Sequence, residues 1–401
     1  MQIAEEHRVK PITYQTISTE RWIGKIDISI DLPTIVFFAA LHGNELTGVS
    51  AMERVLKTIS DRKIHLKGNL LAVKGNLKAI AKVQRFIDYD LNRLWTADYI
   101  AAADEGKNTL SELEELKELL LLAELLIKRA KNEVCFVDLH TTSSKSSPFL
   151  VLDDTLRNRA LARSIPATIV LGLAEKIEGT MTSYLAEFGP RTLVFESGQH
   201  ESLSSINLHE AAIWLLLDQM NIIESDVFDK QACYDMIQSA SKGNPKVVET
   251  IDRFGIEEGD DFKMEEGFTN FQWIKEGEFL AMYNGKKVVA EHDGLIFMPL
   301  YQKQGNDGYF ITKRISPFWL RVSKFFRRLR ADKLIVHFPG ITKLKSMPHS
   351  YKVNTHIAHF LTLKILHLLG FRKQVREGHT LIVSRLPYDL KGPWDSKKKK
   401  R

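Results

Sequence analysis

The sequence is poor in cysteine: among 401 residues there are two, Cys135 and Cys233, far apart and outside any C-x-x-C or Cys/His pattern. That scarcity excludes a disulfide framework and a thiolate metal site. Cys135, inside Val134-Cys135-Phe136-Val137, reads as a small core residue. Long apolar runs are missing too. The stretches 119–127 and 211–217 are too short or carry a charge such as Glu124, whereas a membrane span needs roughly 20 apolar residues. The start, Met1 to His7, has neither the basic cluster nor the apolar stretch of an export signal, so a soluble, cytoplasmic protein is expected. There is no nucleic-acid recognition motif or base-stacking pattern, and nucleic acid is not an expected partner.

Net charge is also low, at +6, but its distribution is uneven. From Lys313 onward there are 22 Lys and Arg against 4 Asp and Glu, or +18, which leaves −12 for residues 1–312. A basic appendage follows an acidic body.

Apolar runs rich in β-branched and aromatic residues recur at 35–41, 70–73, 134–139, 149–152, 168–171 and 192–195, with helical patterns at 45–58, 110–130 and 205–220 between them. Buried strands alternating with helices predict an α/β sheet covered on both faces, with ligands gathering where strands end. From about Gly243 short alternating strands and turns such as Asn284-Gly285 and Asp293-Gly294 predict a small β domain to about Thr312. Beyond it come a basic helical pattern at 318–329, an amphipathic run at 356–369 and an unstructured tail, Lys397 to Arg401.

Four segments carry chemistry. In Leu41-His42-Gly43-Asn44-Glu45 an apolar strand meets a glycine turn before a helix, so His42 and Glu45 can converge from a loop. An isolated H-x-x-E occurs by chance about once in a chain of this size. A third donor is His140, ending Phe136-Val137-Asp138-Leu139-His140; by itself it reads as a histidine capping a strand, and the H-x-x-E segment reverses that reading. Together the three give a zinc site with one position open for water, and strand alternation places Asp138 beside His140 to orient it. The segment Gln84 to Arg93 concentrates Arg85, Asp88, Asp90, Asn92 and Arg93 among apolar residues, fitting either a polar cleft or a surface salt-bridge network. In Val194-Phe195-Glu196-Ser197-Gly198, burial at a strand end makes Glu196 the general-base candidate. His200 lies beyond that turn and His209 in a helix, and neither is expected to bind metal. His356 and His359 share a helical face with no acid nearby and read as packing or exposure.

The succession H-G-N-E, R-F-x-D-x-D-L-N-R, D-L-H-T-T and E-x-G-Q resembles the succinylglutamate desuccinylase and aspartoacylase family of zinc carboxypeptidase-like hydrolases, over roughly residues 30–312. The resemblance implies a zinc carboxypeptidase-like mixed-sheet α/β domain (1–242) whose cleft the smaller β domain (243–312) narrows; the basic C-terminal α/β extension (313–401) has no counterpart in it. It implies one Zn2+ per chain on His42, Glu45 and His140, with Glu196 as proton shuttle. Arg85 would polarise the scissile carbonyl, Asn92 and Arg93 would hold a substrate carboxylate, and Tyr309 or Tyr301 would complete the pocket. A further arginine usual upstream of the glutamate is replaced here by Arg191, whose odd offset from Glu196 turns it to the other strand face. The expected activity is removal of the acyl group from a small N-acyl amino acid by Glu-assisted attack of zinc-bound water. Rival readings are a peptide carboxypeptidase, or a non-catalytic zinc module whose basic segment 321–330 lies on an anionic membrane. That segment could also be a helix solvated on one side and packed on the other.

Overall fold

The computed structural model describes residues 17–106, 109–257, 259–344, 349–354, 356–357, 365–377 and 380–395. Met1 to His7, His359 and the tail from Lys397 lie outside them.

Strands β1 (Trp22–Ile26), β2 (Thr34–Ala39), β3 (Asn69–Lys74), β4 (Val134–Thr142), β5 (Phe149–Val151), β6 (Thr168–Leu171), β7 (Arg191–Gln199) and β8 (Val247–Gly255) belong to one mixed sheet. Its centre, in the order β3-β2-β4-β7, is parallel. Each strand of this centre is buried on both faces, as its near-continuous apolar composition demands. Odd residues of β2 and β4, such as Phe37 and Val137, join a core with α1 (Thr47–Asp61) and, later in the chain, with residues 208–217. Even residues, such as Phe38 and Phe136, face the other way, toward residues 113–126. The helices predicted at 45–58, 110–130 and 205–220 are thus found, shifted by a few residues. In chain order the helices after α1 are α2 (Leu77–Lys82), α3 (Ala97–Asp104), α4 (Glu112–Arg129), α5 (Leu156–Ala162), α6 (Met181–Ala186), α7 (Leu203–Gln219) and α8 (Lys230–Ala240).

The β-rich segment after Gly243 does not close on itself. Of β9 (Phe262–Met264), β10 (Trp273–Ile274), β11 (Phe279–Tyr283), β12 (Lys286–Val289), β13 (Gly294–Phe297) and β14 (Asp307–Arg314), only β9, β11 and β12 form a separate sheet. β8 runs parallel to β6, and β14, β13 and β10 continue from it, so the main sheet has eleven strands among the described residues. Phe149 and Val170 share a core with Phe297 and Phe310, which ties the two parts together.

The basic C-terminal region folds as α9 (Pro317–Arg328) and an antiparallel sheet of β15 (Ile341–Lys343), β16 (Ser350–Asn354), β17 (Lys373–Glu377) and β18 (Thr380–Ser384). Its own core includes Tyr351, Phe371 and Val383. It is pinned to the main body by buried ion pairs: Arg327, 3.1 Å from Asp389 of the same region, also lies 3.1 Å from Asp154 of the body, and Arg372 lies 3.1 Å from the same carboxylate. No helix among the described residues is long and apolar enough to cross a membrane.

Candidate active site

The site lies where the adjacent parallel strands β2, β4 and β7 end. β2 stops at Ala39, Ala40 takes a left-handed φ of 59°, and the chain turns into His42. Position 43 must be glycine, because a Cβ there would lie 2.2 Å from the Ala79 carbonyl carbon of α2. The Glu45 amide then donates to the His42 carbonyl (3.0 Å), and the turn brings both side chains to one point. Their Nδ1 and Oε1 atoms are 2.8 Å apart. His140, near the end of β4, presents its Nδ1 to Glu45 Oε2 at 3.1 Å, and the Thr141 amide donates to the same oxygen at 2.8 Å. All three side chains are buried, and one donor atom from each lies within 4.8 Å of the others.

Each imidazole turns its second nitrogen to a carboxylate. His140 Nε2 is 2.7 Å from Asp138 Oδ2, and His42 Nε2 is 3.1 Å from Asp90 Oδ1. Such partners fix ring orientation and tautomer, leaving both Nδ1 atoms to a metal. Burial works against charge on His140, yet Asp138 and Glu45 hold it well above the ordinary imidazole range. Glu45 is held well below the carboxylate range: burial pushes it up, and His42 and His140 outweigh that. A buried carboxylate between two imidazoles fits a divalent cation, whose binding would release the imidazole proton.

The loop at 85–93 is shaped by a residue that sequence reasoning missed. Glu112, fully buried at the start of α4, accepts from the amides of Ile87 (2.7 Å), Asp88 and Tyr89 (both 3.2 Å) and from Asn76 Nδ2 (3.1 Å). An acid at a helix N-terminus looks like ordinary dipole compensation in sequence, and only the approach of the loop reveals its task. The loop orients Arg85, which donates to Asp90 Oδ2 at 2.8 Å and has one guanidinium nitrogen 3.6 Å from Glu45. Arg93 reaches Asp307 at 2.7 Å, and Arg253 of β8 binds the other oxygen of Asp307 at 2.6 Å. The Nε atoms of Arg85 and Arg93 are buried without a protein acceptor. Asn92 Oδ1 accepts from the Met181 amide at 2.9 Å and so ties the loop to α6.

Glu196 of β7 stands opposite His140 in the β4–β7 register. Its Oε2 is buried without a hydrogen-bond partner. Burial, aided by Glu45 and Asp138 and opposed by His140 and Arg85, pushes its carboxyl up to about 8. Arg191, at the opposite end of the same strand, pairs with Glu133 at 2.8 Å.

Arg85, Arg93, Thr141, Thr142 and Ser143 form one side of an open cleft, and the segment from Met298 to Asp307 supplies much of the other. Neither expected tyrosine lines it. The Tyr309 ring stacks on Phe254 (centroids 5.1 Å) in the core between β8 and β14, because its position in the ladder turns it inward. The Tyr301 hydroxyl is spent on the backbone of Phe268 and Glu265, each at 2.9 Å. Thus the cleft wall comes from the loop between β13 and β14, where Gln302 lies 3.4 Å from His200. His200 meets Thr141 at 2.7 Å, and His209 is buried in α7, 3.3 Å from Thr47.

Sheet, strand-end crevice and donor set define a zinc carboxypeptidase-like α/β fold. A solved structure described as succinylglutamate desuccinylase/aspartoacylase from Rhodobacter sphaeroides superposes with a TM-score of 0.53 at 16% identity, over 72% of this chain and 87% of that one. The product-bound ectoine utilization protein of Ruegeria pomeroyi gives 0.52 at 19% identity, with coverages of 72% and 87%. Residues 31–214 match the sequence model of the succinylglutamate desuccinylase/aspartoacylase catalytic domain. Succinylglutamate desuccinylase of Pseudomonas paraeruginosa is 29% identical over 119 residues, which span 30% of this chain and 33% of that relative. The Pseudomonas putida enzyme is 24% identical over 305 residues, 70% of this chain and 84% of its own length.

Proposed function

We propose that the protein is a zinc-dependent amidohydrolase that removes the acyl group from a small N-acyl amino acid. The observation that carries this reading is the convergence of His42 Nδ1, His140 Nδ1 and the Glu45 carboxylate, with Glu196 in register beside them. His42, Glu45 and His140 would hold the ion. When bound, zinc supplies Lewis acidity, which lowers the pKa of water and polarises a carbonyl, and adds positive charge that opposes the effect of burial on Glu196.

The chain's own residues then divide the work. Glu196 takes a proton from the attacking water at its unpartnered carboxylate oxygen and passes it to the amine nitrogen as the C–N bond breaks. Arg85, with a buried Nε free of protein acceptors, donates to the carbonyl oxygen as negative charge develops there. Arg93, at the cleft wall, receives the substrate carboxylate, with Asn92 holding its loop in place. The products are a carboxylate and a free amino acid.

The deciding experiment measures the zinc content of purified protein together with primary-amine release from N-succinylglutamate, N-acetylaspartate and a peptide panel, with and without a chelator. One zinc per chain and chelator-sensitive release from an N-acyl amino acid are expected. Bound zinc without turnover on any substrate would make the fold a non-catalytic zinc module, and preference for peptides would make it a carboxypeptidase.

A further inference from the structure

Helix α9 turns most of its large apolar residues away from the body it packs on. Pro317 at its first turn and the Ser316 hydroxyl, which accepts from the Phe318 amide, fix its start. Its inward side is mixed: Leu320 packs against the main core, Ser323 donates to the Leu368 carbonyl at 2.7 Å, and the fully buried Arg327 binds Asp154 and Asp389. Its outward side is apolar, with Phe318 59%, Phe325 59% and Leu329 63% exposed. These three, spaced i, i+7 and i+11, form one row, and Trp319 and Phe326, also exposed, extend it sideways. Three more exposed apolar residues follow between Leu334 and Phe338. The stretch 318–338 thus holds eight of the eighteen large apolar side chains exposed among the described residues, too concentrated for chance scatter.

Beside the aromatic row runs a second one. Arg321, Lys324 and Arg328 stand at i, i+3 and i+7, along one flank of the helix. Lys324 is held below the usual ammonium range by the neighbouring charges of Arg328 and Arg163, with no carboxylate acting on it. The one acid just beyond, Asp332, is 3.1 Å from Arg385.

We infer that α9 and the turn after it form a docking surface for an anionic phospholipid bilayer, the aromatic row entering the interface and the cationic row meeting the headgroup phosphates. Charge complementarity selects this occupant. A second copy of the same face would bring cations against cations, and a nucleic acid would satisfy the cations while leaving Leu329, Leu334 and Val336 uncovered. A helix anchored to the body by a buried arginine, with an apolar, cation-flanked face toward solvent, has the arrangement of an interfacial helix. Aromatic rings favour the headgroup level, and each cation near an anionic leaflet adds to the attraction.

The test is flotation of the full-length protein with vesicles of phosphatidylcholine alone or of phosphatidylcholine mixed with phosphatidylglycerol. Binding to the anionic vesicles is expected to exceed that to neutral ones by at least about tenfold and to weaken as salt is raised. The exposed double variants F325S/L329S and R321E/R328E should each lose about tenfold or more while keeping the wild-type thermal midpoint. Equal flotation with both vesicle types, or no flotation, overturns the proposal. So does binding that survives F325S/L329S and fails only on charge reversal, which would mark general attraction to polyanions. A dimer in solution that F325S/L329S dissociates, without vesicle binding, would assign the face to a second copy.

Discussion

Glu196 and His140 occupy paired positions on adjacent parallel strands, so a buried carboxyl and a buried imidazole are held side by side by the backbone ladder itself. Because neither sits on a flexible loop, the separation of their functions is open to direct test. Glu196→Gln should retain zinc and lose about 10²–10⁴-fold in kcat, the usual range for removing a general acid–base group. Zinc analysis and steady-state kinetics on the same preparation check it; wild-type turnover in the variant would remove Glu196 from the chemistry.

The carboxylates behind the imidazoles should matter for metal rather than for fold. Asp138→Asn deletes the charge 2.7 Å from His140 Nε2 and should weaken zinc affinity by roughly 10–100-fold. Competition with a calibrated chelator reads this out, and an unaltered zinc affinity would contradict an orienting role.

Arg93 should act on binding. Arg93→Ala is expected to raise KM with a smaller effect on kcat, costing about 1.5–3 kcal/mol if one charged hydrogen bond to substrate is lost. Kinetics with an N-acyl amino acid and with its carboxamide analogue separate the roles. The variant's penalty should shrink for the analogue, and an equal penalty for both substrates would place the defect elsewhere.

The C-terminal region should be held by its buried arginine. Arg327→Leu removes one cation from Asp154, which keeps Arg159 and Arg372, and from Asp389, which keeps Arg385, and should cost about 1.5–3 kcal/mol of stability. Denaturant unfolding measures the loss; a wild-type midpoint would show that the ion pairs are dispensable.

Acid should loosen the same junction. Burial pushes the Glu249 carboxyl up, but the His367 hydrogen bond and the Arg372 charge outweigh it and bring it down from 4.5 to about 2. A depressed carboxylate contributes stability that is complete above about 4.5 and is lost as pH falls toward about 2. The thermal midpoint should therefore drop across that window, and Glu249→Gln should flatten the slope. An identical slope in the variant would remove Glu249 as a source.

The sequence by itself marked the residues that converge at the strand ends. His42, Glu45, His140 and Glu196 stand in short segments whose apolar strand, turn and polar residue follow one another directly, so local pattern was enough to mark them. It also determined which side of β4 carries Asp138 with His140, because alternation along a strand is a local property. What the tertiary structure decided depended on contacts between distant segments. Glu112 became the support of the 85–93 loop through amides more than twenty residues away. Tyr309 was taken out of the cleft by its pairing with β8, and the strands after Gly243 joined the main sheet because β8 found β6. The basic helix of the C-terminal region illustrates the same limit: periodicity located it and gave it two faces, but only the buried carboxylates of Asp154 and Asp389 decided that Arg327 points inward and the aromatic row outward. Desolvating an arginine is tolerable where opposite charge awaits it, and no local pattern reports where that charge will be.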